Sequence, residues 1–255
     1  MKLVAFDTST EACSVAVQVD DDVLSKHRLV KREHAAMLLP MLADLLSEFG
    51  VPAQDIDGVI FGQGPGSFTG LRIAAACAQG LALAADCGVY GVSTLHAMAK
   101  GCVRLSEQNS HSDKIQGADI VMSAIDARMD QIYANTYRID DSGELSAVLE
   151  ERVVGPNSYP WDKVLSASNT EQNPMTLMLC GSGAERYESV LRESLKEHQR
   201  LTIKMMNDVY PHAVDLLQLT DAQNPSIWKS AAEAQPVYVR NKVALTEAER
   251  SNAQL

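Results

Sequence analysis

The chain has 255 residues, 46% of them hydrophobic and 22% charged. That profile suits one large globular domain or two small lobes and excludes collagen, coiled coil and global disorder. A net charge of −11 at pH 7 sets the free chain against phosphate backbones, so a nucleic acid would have to be reached through a partner that supplies the basic groove.

The N-terminal "MKLVAFDTST" holds too short an apolar run for a signal peptide, and no run approaches the length of a membrane span. The five cysteines, Cys13, Cys77, Cys87, Cys102 and Cys180, are widely spaced and contain no CxxC pair. Reduced thiols and a cytoplasmic location are expected, with no membrane contact. "KLVAFDTS", "CSVAVQV" and "VLSKHRLV" read as an antiparallel meander. "EHAAMLLPMLADLLSEFG" is helical by periodicity, with Gly50 as its stop and Pro40 marking a kink or a late start. "IDGVIFG" is a buried strand. The glycine-rich "GQGPGSFTGLR" follows, then a helix over about 71–85 that is rich in alanine. "GVYGV" is a strand, and "STLHAMAKGCVRL" a helix capped by Ser93 or Thr94.

The polar stretch 106–117 marks a lobe boundary. Beyond it, "DIVMSAIDA", "QIYANTYRI" and "LSAVLEERVV" read as a second sheet. Residues 166–174 read as a loop. "TLMLCGSGAERY" is strand, glycine turn and helix start, the helix running on to about His198. "HAVDLLQLTDA" is a further helix.

Four stretches carry chemistry. In "FDTST", Asp7 ends a strand, and Thr8 and Ser9 offer hydroxyl and N–H donors to a phosphate, or close an Asx or ST turn. In "GQGPGSFTGLR", Gly64 and Gly66 admit close backbone approach ahead of a helix start, and Thr69 is the expected cap. It is neither a Walker loop nor a dinucleotide fingerprint. In "AIDARMDQIYA", Asp126 ends a strand much as Asp7 does. In "CGSGAERY", Gly181 and Gly183 form a second turn of the same kind, where a nucleoside would rest. No HExxH pair, GxSxG elbow or positioned general base is found, so no catalytic residue and no metal ligand is assigned. His27, His34, His96, His111, His198 and His212 are scattered.

A small-residue helix admits another helix at close range, inside its own domain or on a second subunit. The candidate contact residues are His34, Leu38, Met41, Leu42 and Leu45 on the first helix. On the second they are Leu71, Arg72, Ala75, Ala78, Gln79 and Ala82.

Taken in order, "FDTST", "EHAAMLLPML", "GQGPGSFTGLRIA", "DARMDQIYA" and "CGSGAERY" closely resemble the bacterial TsaB (YeaZ) family of tRNA threonylcarbamoyladenosine biosynthesis proteins, over nearly the whole chain. The resemblance implies an α/β, two-lobed actin-like, Hsp70-like and ribonuclease H-like fold, each lobe a mixed sheet flanked by helices. The lobes would span 1–108 and 109–232, with the last helices returning to the first lobe and a frayed tail at 241–255. It implies a non-catalytic scaffold that pairs with the catalytic paralogue TsaD and with the ATPase TsaE, self-pairs as a homodimer without TsaD, and meets tRNA only through the complex. Nucleotide binding at Asp7, Thr8, Ser9, Gly64, Gly66, Asp126, Gly181 and Gly183 would be vestigial or weak. No cofactor is firmly implied; ATP or ADP with Mg at a complex interface stays open. The alternatives are an actin-like ATPase or small-molecule kinase active alone and, less so, a glycopeptidase-like peptidase, which the missing histidine pair of the paralogue disfavours.

Overall fold

The computed structural model describes residues 1–108, 119–140, 142–167, 175–198 and 200–239. The meander is β1 (Lys2–Asp7), β2 (Ala12–Val19) and β3 (Asp22–Leu29). β4 (Gly58–Gly64) lies parallel to β1, and β5 (Gly88–Ser93) parallel to β4, giving the order β3-β2-β1-β4-β5. The period of two along the strands sorts their side chains. Val4, Phe6, Val15, Val17 and Phe61 fill the core under two helices, whereas Leu3, Ala5, Ala16 and Ile60 fill a core on the opposite face.

The two helices on the first face are α1 (His34–Phe49) and α2 (Phe68–Ala85). Gly50, at φ 65°, ends α1 in the left-handed region. The helix runs unbroken from His34 through Pro40, so no late start occurs; Pro40 and Ala36, whose carbonyl loses its donor, both face solvent. The cap of α2 is Ser67, not Thr69: the Ser67 hydroxyl accepts the Gly70 N–H at 3.4 Å. By length and composition α2 could cross a membrane, against the expectation that no run would. Its alanines supply that apolar character, and one of its faces packs on the chain's own core, as core helices of globular proteins also do.

α3 (Thr94–Gln108) starts directly after β5, with the Ser93 hydroxyl accepting the His96 N–H at 3.1 Å. It joins the two sheets: Leu95, Met98 and Cys102 pack with Val121, Ile125 and Tyr137. The second sheet has the order β11-β10-β6-β7-β8. β6 (Ile120–Arg128) and β7 (Gln131–Ile139) are antiparallel; β10 (Met175–Cys180) is parallel to β6 and β11 (Leu201–Met206) is parallel to β10. "LSAVLEERVV" is not one strand but two short ones, β8 (Leu145–Ala147) and β9 (Arg152–Val154), both on β7. Residues 166 and 167 close α4 (Trp161–Ala167), and the rest of that expected loop lies outside the described residues. The helix expected to reach His198 breaks at Tyr187 into α5 (Ser182–Arg186) and α6 (Glu188–Glu193).

The chain then returns to the first sheet. α7 (Ala213–Gln218) covers its second face, where the Ser14 hydroxyl accepts the Ala213 N–H at 2.9 Å. Arg104 on α3 donates to both oxygens of Asp215 on α7, at 2.7 and 2.9 Å. Trp228 fills the space above Gly58 and Gly88, where a Cβ on Gly58 would collide with the indole and one on Gly88 with the Trp228 Cβ. Ala234 enters the core beneath α2, and the Val237 N–H reaches the Gln63 carbonyl at 2.7 Å. The expected lobe junction and the tail at 241–255 fall among residues outside the described set.

Candidate functional site: the cleft between the sheets

At the head of the first sheet, the turn after β1 is closed on itself. Asp7 is fully buried. Its Oδ1 accepts the Ser9 N–H at 2.7 Å and the Ser9 hydroxyl at 2.6 Å, and its Oδ2 accepts the Thr94 hydroxyl at 3.3 Å. Burial raises the Asp7 carboxyl above its ordinary value, and the Ser9 bonds oppose that rise. The Thr8 hydroxyl donates to the Gly70 carbonyl at 2.8 Å, and the Ser9 carbonyl accepts the Ser67 N–H at 2.7 Å.

The glycines exist for this contact. A Cβ on Gly62 would stand 1.8 Å from Asp7 Oδ2, one on Gly66 would stand 2.4 Å from the Ser9 carbonyl oxygen, and one on Gly70 would stand 1.8 Å from that of Thr8. The close approach that the sequence demands at this loop is made by the chain's own 7–9 turn.

The second sheet repeats the device. Gly181 has φ 89°, and a Cβ there would lie 2.6 Å from the Ala124 carbonyl oxygen; one on Gly183 would lie 2.7 Å from the Ile125 carbonyl carbon. Asp126 Oδ1 accepts the Arg128 N–H at 2.9 Å, and Oδ2 accepts Nη1 of Arg128 at 3.1 Å and Nη1 of Arg186 at 3.2 Å. The β6–β7 hairpin holds Arg128, Met129 and Asp130 in succession at positive φ, a conformation that disfavours non-glycine residues.

Between these heads lies a cleft of about 1860 Å³. Of the residues singled out in the sequence, Ser9, His34, Gly66, Leu71 and Asp126 line it, whereas Asp7, Thr8, Gly64, Gly181 and Gly183 do not. Lys31, Arg32, Glu185, Arg186 and Tyr238 also line it and were not expected. The adjacent Lys31 and Arg32 were a legible signal. Tyr238 was not, because only the fold brings it to Phe68, at 5.4 Å between rings, and to the Nε–H of Arg72, at 3.2 Å. At the first head the carboxylate and hydroxyls that would serve a magnesium nucleotide are buried and engaged within the chain.

The expected contact residues divide. Leu38, Met41, Leu42, Leu45, Leu71, Ala75, Ala78 and Ala82 are buried in the isolated chain. His34 and Gln79 are half-buried, with Gln79 Nε2 donating to the Ala234 carbonyl at 2.8 Å. Arg72 is exposed, its guanidinium 3.7 Å over the Phe68 ring. The outer side of the same helices shows Leu39 at 48%, Phe68 at 52% and Leu83 at 78% exposure, among the exposed Ala35, Ala36, Ala43, Ala76 and Gly80.

Two mixed sheets, each headed by a strand that ends in a carboxylate turn and each backed by helices, face one another across this cleft: an actin-like, ribonuclease H-like protein. The family model described as "TsaD: tRNA N6-adenosine threonylcarbamoyltransferase" matches residues 26–224. The chain is 36% identical to the tRNA threonylcarbamoyladenosine biosynthesis protein TsaB of Escherichia coli, over 96% of each chain. It is 33% identical to the TsaB of Haemophilus influenzae, over 95% of each. The solved structure of YeaZ from Pseudomonas aeruginosa superposes with a TM-score of 0.74 at 35% identity, over 93% of this chain and 99% of that one. The chain belongs to the TsaB/YeaZ family, within the actin-like ATPase superfamily.

Proposed function

We propose that the chain acts in tRNA threonylcarbamoyladenosine biosynthesis as a non-catalytic scaffold that pairs with the catalytic paralogue TsaD through the outer side of α1 and α2. The relatives in the comparisons carry the name of that pathway. The observation that carries the scaffold reading is the exposed strip itself. Leu39 and Leu83 stand on two adjacent helices among alanines and Gly80, so a partner helix can approach closely and bury apolar surface. An interface of standard size, roughly 1,600 Å² in total, makes a specific complex. In the absence of TsaD the same strip serves a homodimer.

The non-catalytic part rests on the first head, where Asp7, Thr8 and Ser9 are engaged with the chain itself. The −11 charge supports a tRNA contact made through the complex, with TsaE as a further component in the cytoplasm. Reconstitution of the tRNA modification from purified components tests the reading. Product should form only when this chain is added to TsaD, and should form equally with an Asp7→Asn variant that retains its fold. Full modification without this chain would refute it.

A further inference from the structure

The cleft holds about 1860 Å³, against the roughly 300–1,000 Å³ of sites that enclose a small molecule. Its head offers little to a phosphate. The Ser9 N–H and hydroxyl face Asp7, the Thr8 hydroxyl faces the Gly70 carbonyl, and the Ser67 N–H faces the Ser9 carbonyl. The space that remains is wide, part apolar and part cationic.

Phe68 and Tyr238 supply flat apolar surface at the mouth. Lys31, Arg32, Arg128 and Arg186 supply four cations to the lining, against the three carboxylates of Glu11, Asp126 and Glu185. Asp126 pairs with Arg128 and Arg186, so those two cations are taken up with it, and Glu185 accepts the Asp208 N–H at 2.8 Å; the cations left to meet a ligand are Lys31 and Arg32. The α2 N-terminus opens on the same space with no acidic residue in its first turn. Lys31 and Arg32 make no ion pair among the described residues. A positive lining on a chain of net charge −11 is a local reversal of sign, and it selects for a partner of opposite charge.

The geometry points to this cleft as the docking site of an extended acidic segment of a partner protein, with Lys31 and Arg32 meeting its carboxylates and Phe68 and Tyr238 covering its apolar side chains. Size and composition favour a peptide over a nucleotide. A nucleotide needs free donors at the head, whereas a peptide needs length, intermittent apolar contact and spaced cations. The site borders the α1 and α2 face at His34 and Phe68, and its test requires no TsaD.

The test uses the full chain and two fluorescein-labelled peptides, one alternating Glu with Leu and Phe, the other carrying Lys for Glu, with Mg-ATP as a third probe. Anisotropy should show the acidic peptide binding, more weakly as NaCl rises. The double variant Lys31→Glu/Arg32→Asp should lower its affinity about tenfold or more, as reversal of two docking charges does. Arg32 has φ 63°, which aspartate tolerates, so melting of the variant should match the parent. Equal binding of the two peptides, no binding of the acidic one at millimolar concentration, or an affinity that the double variant leaves unchanged would overturn the proposal. So would Mg-ATP binding that the double variant abolishes and that excludes the peptide, since the cleft would then be a nucleotide site.

Discussion

Gly70 and Thr8 hold each other in both directions: the Thr8 hydroxyl donates to the Gly70 carbonyl at 2.8 Å, and a Cβ on Gly70 would stand 1.8 Å from the Thr8 carbonyl oxygen. The start of α2 and the turn after β1 therefore form one unit, and the direction of α2 is fixed by backbone contact.

Gly70→Ala should accordingly destabilise the chain by about 1–3 kcal/mol or more, the range for forcing atoms into a filled space. Gly80, on the same helix, has nothing within 4 Å of an added Cβ. There Gly→Ala should stabilise by about 0.5–1 kcal/mol through helix propensity alone. Urea melts of the two variants should move in opposite directions; a shift of the same sign in both would show that the Gly70 contact is loose.

Arg104 and Asp215 tie α3 to α7 and so fasten the returning segment to the first sheet. Asp215→Ala leaves the arginine facing a gap. With Arg104 a quarter exposed, the expected loss is about 2–4 kcal/mol, near the lower end for a broken buried pair. The double variant Arg104→Met/Asp215→Leu removes both charges together and should lose less than the single one. Denaturant midpoints decide this.

Acid should loosen the same junction. The rings of His27 on β3 and His212 at the start of α7 stack at 4.8 Å with 5° between planes. Burial brings His212 down from 6.5 to about 4, helped by the neighbouring His27 and Arg104; burial and then Arg104 lower His27. Both are neutral in the fold, so their contribution is complete above the ordinary value of 6.5 and is lost as pH falls from there toward 4. The His212 part is about 2–3 kcal/mol, less whatever solvent screens. Melting temperature followed from pH 7 to acid should fall through that window, and His212→Gln should flatten the fall. A parent profile as flat as that of the variant would rule the stack out as its source.

The helices of the proposed partner strip offer a two-way contrast. Leu83 is 78% exposed and Leu42 is buried. Leu83→Glu should leave the melt of the isolated chain nearly unchanged and weaken pairing, whereas Leu42→Glu should unfold the chain by burying an unpaired charge. Circular dichroism beside a pull-down of TsaD separates the two.

Much of this was legible in the sequence because strong local signals dictated it. The apolar run "KLVAFD" marked a buried β1, Gly50 ended α1 as a left-handed cap, and the glycines at 62–70 announced a close approach. What approaches them was not legible, since Thr8 and Gly70 meet only in three dimensions. β11 went unseen: it is a six-residue edge strand whose side chains are mostly half-buried, so no alternation marks it. Most of the contact residues expected on α1 and α2 are buried in the isolated chain. An apolar stripe on a helix is usually the stripe its own sheet covers, and Leu38, Leu42 and Ala78 obey that rule. The exposed outer side carries the weaker pattern of alanines, Leu39 and Leu83, and it is the surface proposed for a partner.

Light scattering on a size-exclusion column, with the chain loaded alone and then with purified TsaD, tests the scaffold reading most directly. The account predicts a self-paired species alone, a one-to-one complex with TsaD in its place, and loss of both on Leu83→Glu. A chain that stays monomeric, ignores TsaD and hydrolyses ATP unaided would contradict it.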